Sequence, residues 1–218
     1  MTPFPAPVPS PARTRFRDRL EACPLVAIIR GVHPDEVFAV GDALLEAGIR
    51  IIEVPLNSPE PLRSIATLVR HAGTEATIGA GTVLDPADVG RIAEIGGELI
   101  VSPHTDPAVI EATARAGLVS APGYFTPSEA FTAIHAGADA LKLFPAEAAA
   151  PRVLKAQLAV LPRNRPVLVV GGVTPQTMAE YREAGASGFG LGSGLYTPGL
   201  SPSEVATRAR AYVAGIYT

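Results

Sequence analysis

Beyond residue 23 the chain alternates between two kinds of segment. Short apolar runs are each followed by a turn bearing Pro, Ser, Thr or Asp, and then by an amphipathic stretch that closes on Ala-Gly or a near variant. The runs are Pro24 to Arg30, Ile49 to Leu56, Ala76 to Leu84, Leu99 to Pro103, Leu118 to Gly123, Ala140 to Pro145, Pro166 to Gly172 and Gly188 to Ser193. Continuous apolar runs of this length bounded by turn residues read as strands buried on both faces, and the longer stretches between them as helices. The glycines closing Glu46-Ala47-Gly48, Ile95-Gly96-Gly97, Arg115-Ala116-Gly117, His135-Ala136-Gly137 and Glu183-Ala184-Gly185 sit where a helix stops in a left-handed turn. Strands alternating with helices pair in parallel through crossovers, and both faces of the sheet are then covered. Eight such units predict an α/β chain folded as a single (β/α)8 TIM barrel. The competitor is an open doubly wound sheet, which carries a glycine fingerprint at its first turn; Ile29-Arg30-Gly31-Val32-His33-Pro34 has none.

Ahead of the first strand, Arg13 to Ala22 has a helical pattern, with Phe16 and Leu20 four apart on one face. Residues 1–12 alternate prolines with other residues and read as a Pro-rich, disordered arm, leaving 13–218 as the barrel domain with an extra N-terminal helix.

Composition narrows the function classes. A hydrophobic content of 47% against 18% charged residues describes a compact soluble protein. A net charge of -3 gives no bulk attraction for nucleic acid. No apolar segment approaches the roughly 20 residues that span a bilayer, and Met1 to Pro11 lacks the apolar core of a signal peptide, so neither membrane nor export is expected. The single cysteine, Cys23, excludes an intramolecular disulfide and suits a cytoplasmic compartment; it reads as a packing residue.

Polar residues inside the apolar runs carry the candidate chemistry. The chain holds 18 Lys plus Arg, yet only Lys142 and Lys155 are lysines. Lys142 lies in Ala140-Leu141-Lys142-Leu143-Phe144-Pro145, where strand alternation puts Ala140, Lys142 and Phe144 on one face. A lysine among apolar walls loses its proton more readily than one in water, and a free amine is the nucleophile of Schiff-base chemistry; arginine can do neither. Glu53 sits amid apolar neighbours in the second run and Arg30 closes the first. In such a barrel the strand C-termini form the catalytic face, so these three charges can converge there. Gly171-Gly172 and Gly192-Ser193-Gly194 follow the last two strands, where barrels of this kind commonly bind phosphate through backbone N–H groups. An amine, a carboxylate and an anion-binding arginine beside a phosphate loop fit an aldol enzyme whose iminium is the electron sink. That reaction requires no metal and no cofactor, and His33, His71, His104 and His135 show no paired ligand spacing.

The segments Glu53-Val54-Pro55-Leu56-Asn57-Ser58-Pro59, Ile78-Gly79-Ala80-Gly81-Thr82-Val83-Leu84, Leu141-Lys142-Leu143-Phe144-Pro145-Ala146-Glu147 and Gly171-Gly172-Val173-Thr174-Pro175 resemble the 2-keto-3-deoxy-6-phosphogluconate/phosphogalactonate aldolases. The resemblance runs in order over about residues 24–215. It implies a class I aldolase, a homotrimer, that splits a phosphorylated keto-deoxy sugar acid into pyruvate and glyceraldehyde 3-phosphate. It also implies Lys142 as the Schiff-base lysine, Glu53 as the proton shuttle, Arg30 and Thr82 as substrate contacts, and Gly171, Gly172, Gly192 and Ser193 as phosphate loops. The gluconate branch follows its glutamate strand with Leu-Arg-Thr, whereas Leu56-Asn57-Ser58-Pro59 is similar to the galactonate branch; Phe144-Pro145-Ala146-Glu147 is shared with the gluconate branch. Both substrates stay open at this point. So do two readings of other classes, a phosphosugar epimerase using Glu53 as base and a non-catalytic phosphate-binding barrel in which Glu53 and Lys142 are a structural ion pair.

Overall fold

The computed structural model describes residues 9–217. The chain opens with helix α1 (Pro11–Ala22), then runs β1 (Leu25–Ile28), α2 (Val37–Glu46), β2 (Ile51–Pro55), α3 (Pro61–Ala72), β3 (Thr77–Gly81) and α4 (Pro86–Glu94). It continues with β4 (Leu99–Val101), α5 (Pro107–Arg115), β5 (Val119–Ala121), β6 (Gly123–Tyr124), α6 (Pro127–His135) and β7 (Leu141–Leu143). A 3-10 turn (Ala146–Ala148) leads to α7 (Pro151–Leu158), β8 (Val167–Val170), α8 (Met178–Glu183), β9 (Gly188–Leu191) and α9 (Pro202–Gly215). Every pairing is parallel, in the order β5-β4-β3-β2-β1-β9-β8-β7-β6. The expected barrel is therefore present, with one correction. Its fifth strand is in two pieces, β5 and β6, because Pro122 has no N–H to offer the ladder. β5 pairs with β4 and β6 with β7, and the Pro122 carbonyl still accepts from Lys142 N–H at 2.9 Å, so hydrogen bonds continue around the ring.

The local signals that start and stop these elements recur. Proline occupies the first turn of α4, α5, α6 and α9, behind the capping side chains of Asp85, Asp106, Thr126 and Ser201. In α6 and α9 the cap is reciprocal, with Glu129 and Glu204 reaching back to the cap backbone. Gly48 (φ 98°) and Gly137 (φ 103°) end α2 and α6 in the left-handed conformation, where a β-carbon is strained.

Two apolar layers result. Between sheet and helices lies a large core that includes Leu141, Leu143, Val167 and Val169. Inside the ring lies a second core of Val26, Ile28, Ile51, Leu99, Val101, Val119, Ala121, Ala140, Leu168 and Val170, and α1 adds Ala12, Phe16 and Leu20 to it. The N-terminal helix thus plugs the bottom of the barrel, held there by a largely buried Arg13–Asp139 ion pair at 2.8 Å. It begins at Pro11, two residues before the expected domain boundary, because Ser10 accepts from Arg13 N–H and Pro11 sits where a helix tolerates it. The remainder of the Pro-rich arm, residues 1–8, lies outside the described residues. Among the described residues no helix is long and apolar enough to cross a membrane. Cys23 is buried, and burial pushes its thiol up, as a packing residue requires.

Phe16 is 3% exposed, so truncating it opens a cavity at the base of the inner core. Phe16→Ala is expected to lose about 3 kcal/mol of unfolding free energy, measured by urea denaturation. A loss below 1 kcal/mol would mean that α1 merely lies against the barrel.

Candidate active site

Strand register fixes the charged residues inside the ring. Glu53 pairs with Ile28 on one side and Gly79 on the other, and Lys142 pairs with Gly123 and Leu168. Both are buried, at 1% and 7% exposure, and both line one narrow cavity with Val26, Ile28, Val101 and Leu168. Glycines make the room for the carboxylate. A β-carbon on Gly81 would lie 1.9 Å from Glu53 Oε2, so the end of the Gly79-Ala80-Gly81 strand is bare where the Glu53 carboxyl crosses it. Gly79 is bare for another reason, since its β-carbon would lie 2.1 Å from the Leu99 carbonyl oxygen.

The same apolar walls act oppositely on the two groups. Burial raises the Glu53 carboxyl from 4.5 to about 7, against the lowering effect of Lys142 and Arg30. Burial lowers the Lys142 ammonium, with Arg30 acting in the same sense and Glu53 opposing. Burial thus puts proton exchange at Glu53 near pH 7 and shifts Lys142 toward its free amine. Glu53 Oε2 is buried and has no hydrogen-bond partner among the described residues. A purely structural ion pair would satisfy that oxygen; here it stays available to a substrate atom or water. Phe144, on the same strand face as Lys142, holds its ring centroid 4.9 Å from Nζ.

Arg30 lies at the rim rather than in the cavity. Its guanidinium donates to Asn57 Oδ1 and lies 3.4 Å from Thr82 Oγ1 by two of its nitrogens. Thr82 has φ 55°, a strained value for a β-branched residue, at the point where β3 opens onto the rim. Ser58 Oγ accepts from Gly31 N–H at 2.9 Å, so Asn57 and Ser58 together brace the loop that carries Arg30. Gly171 and Gly172 leave β8 with φ 113° and 62°. Gly192 and Ser193 leave the neighbouring β9, in a turn where the N–H groups of Leu195 and Tyr196 both donate to the Gly192 carbonyl. A turn of that kind leaves its first N–H groups, those of Ser193 and Gly194, without an acceptor inside it. All eight residues singled out from the sequence therefore lie at or inside one end of the barrel. His104 is exposed on the loop after β4. Sequence reasoning missed Glu147, whose side chain covers Gly171 and Gly172. Nothing in its alanine-rich segment, Pro145 to Pro151, signals that placement.

A buried lysine and a buried carboxyl thus share one cavity inside a parallel barrel. The family model described as KDPG and KHG aldolase matches residues 16–207, and the chain belongs to that family. It is 50% identical over 191 residues to a "Probable 2-dehydro-3-deoxy-6-phosphogalactonate aldolase" of Rhizobium meliloti, covering 88% of this chain and 90% of that one. It is 47% identical over 190 residues to the 2-dehydro-3-deoxy-6-phosphogalactonate aldolase of Escherichia coli, covering 87% of this chain and 93% of that one. A solved structure described as native KDPGal superposes with a TM-score of 0.88 at 46% identity, over 89% of this chain and 94% of that chain. Relatives named KHG/KDPG or phosphogluconate aldolase are 26% to 30% identical.

The raised Glu53 pKa has a stability consequence. An unfolded chain titrates this group at 4.5 and the folded protein at about 7, so the folded state binds more protons between those values and stability falls as pH rises through them. From pH 5 to pH 8 the protein is expected to lose about 2 to 3 kcal/mol relative to Glu53→Gln. Urea unfolding of both proteins at both pH values checks this. Parallel pH profiles would remove the raised carboxyl.

Proposed function

We propose that the protein is a class I aldolase that cleaves 2-dehydro-3-deoxy-6-phosphogalactonate to pyruvate and D-glyceraldehyde 3-phosphate. The observation that carries this reading is the buried pair of Lys142 and Glu53, one pushed down and the other up toward neutrality inside an apolar barrel. Lys142 Nζ attacks the C2 carbonyl to form a carbinolamine, and Glu53 protonates the departing hydroxyl as water to give the iminium. The Glu53 carboxylate then takes the C4 hydroxyl proton while the C3–C4 electron pair moves into the iminium. The aldehyde leaves and an enamine remains. Glu53 returns the proton to C3, and water adds back to the iminium to release pyruvate and the free amine. One water leaves and one returns, so the cycle balances with the lysine regenerated.

Arg30 and Thr82 hold the substrate from the rim, and Gly171, Gly172, Gly192 and Ser193 take its phosphate through backbone N–H groups. Two observations favour the galactonate over the gluconate epimer. Relatives named for the phosphogalactonate are far more similar than those named for the phosphogluconate. Asn57, within the galactonate-like segment, is itself the residue that fixes Arg30. The epimerase reading leaves the buried amine without a task, and the structural ion pair of the binding-barrel reading is at odds with a Glu53 Oε2 that has no hydrogen-bond partner among the described residues. We further propose a homotrimer and a cytoplasmic location, in keeping with the family and a metabolic role.

Incubation with pyruvate and borohydride is expected to leave a reduced adduct on the peptide containing Lys142. Lys142→Arg is expected to abolish it and to lower kcat by at least about 10³-fold. No adduct on folded protein would sink the aldolase reading. A kcat/KM for the phosphogluconate equal to or above that for the phosphogalactonate would reverse the substrate assignment.

A further inference from the structure

The 3-10 turn after β7 carries Glu147 directly over the loop after β8. A β-carbon on Gly171 would lie 2.2 Å from Glu147 Oε2, and one on Gly172 would lie 2.6 Å from its Cγ. The two bare residues are thus covered by one carboxylate, and their left-handed backbone turns the loop toward it. Glu147 is exposed, and neither hydrogen bond nor ion pair holds its carboxylate among the described residues. The backbone beneath it is held: Tyr181 Oη donates to the carbonyls of Ala146 and Ala149, at 3.1 and 3.0 Å, tying the turn to α8. The side chain is therefore free to swing on a fixed base.

We propose that Glu147 hinders the phosphate of the substrate, its carboxylate covering Gly171 and Gly172 on the side where their β-carbons would lie until a phosphate displaces it. The proposal rests on the reading of that loop as a phosphate site. A carboxylate over the loop disfavours a phosphate dianion there, because like charges a few ångströms apart repel. The side chain must then rotate out into solvent before the phosphate is seated. The covering carboxylate weakens every anion that uses the loop by the same factor, and leaves untouched a substrate that has no group there. Glu147 in this role sets the balance between phosphorylated and unphosphorylated substrates, without touching the reacting carbons.

The test compares the wild type with Glu147→Gln, which keeps the shape and removes the charge, and with Glu147→Ala, which removes both. Inorganic phosphate is the probe, read as a competitive inhibitor of cleavage. Its inhibition constant is expected to fall about five- to tenfold in both variants, and the ratio of kcat/KM for the phosphorylated over the unphosphorylated sugar acid to rise by a similar factor. An unchanged or higher inhibition constant in Glu147→Gln would overturn the proposal, since the carboxylate would then be neutral toward the site or would support it. If the wild type shows no competition by inorganic phosphate and no preference for the phosphorylated substrate, the phosphate-loop reading itself falls and Glu147 with it.

Discussion

The constraint on which this molecule turns is the cost of charge inside a closed parallel sheet. Once the ring is complete its interior is walled by Val26, Ile28, Val101, Leu168 and their neighbours, and water is largely excluded. Any ionisable group placed there is pushed toward its neutral form. The protein places two, an amine and a carboxyl, whose natural charge states at pH 7 are opposite. Desolvation brings both toward the range where protons exchange. The same expense that would make this pair a poor stabilising ion pair makes it a usable acid–base couple.

The rest of the structure serves that placement. The plug helix α1 seals the bottom of the ring with Phe16 and Leu20, so the cavity opens at one end only. Glycine replaces a side chain at Gly81 where the Glu53 carboxyl needs the space. The rim is divided by charge. Arg30 is steadied by Asn57 and Thr82 on the side of β1 to β3, while the glycine loops after β8 and β9 form the neighbouring arc. Glu147 adds a negative group beside the glycine loop after β8.

Much of this was legible in the sequence, and for local reasons. The apolar runs, the Asp-Pro, Thr-Pro and Ser-Pro helix starts and the Ala-Gly stops are set by residues within a few positions of one another. They delivered the strand and helix order, and hence the barrel. The lone lysine in an apolar strand of an arginine-rich chain, and the glutamate in another, could be picked out because burial is legible from their immediate neighbours. Helix α1 starts at Pro11 behind Ser10, on the same start signal that the later helices carry.

What the sequence by itself determined is therefore the alternation of elements and the identity of the residues able to do chemistry. Tertiary structure alone decided which of them share a space. That Glu53 and Lys142 face one cavity depends on the register of strands far apart in the chain. The size and sign of their pKa shifts depend on walls contributed by several strands. The break of the fifth strand at Pro122 is bridged by Lys142 N–H, which donates to the proline carbonyl from the neighbouring strand. The position of Glu147 over Gly171 and Gly172 depends on how two loops leave adjacent strands. Local propensity acts over one turn of helix or one pair of strand residues, whereas these facts arise when distant segments are brought into van der Waals contact. No reading of neighbours along the chain contains them.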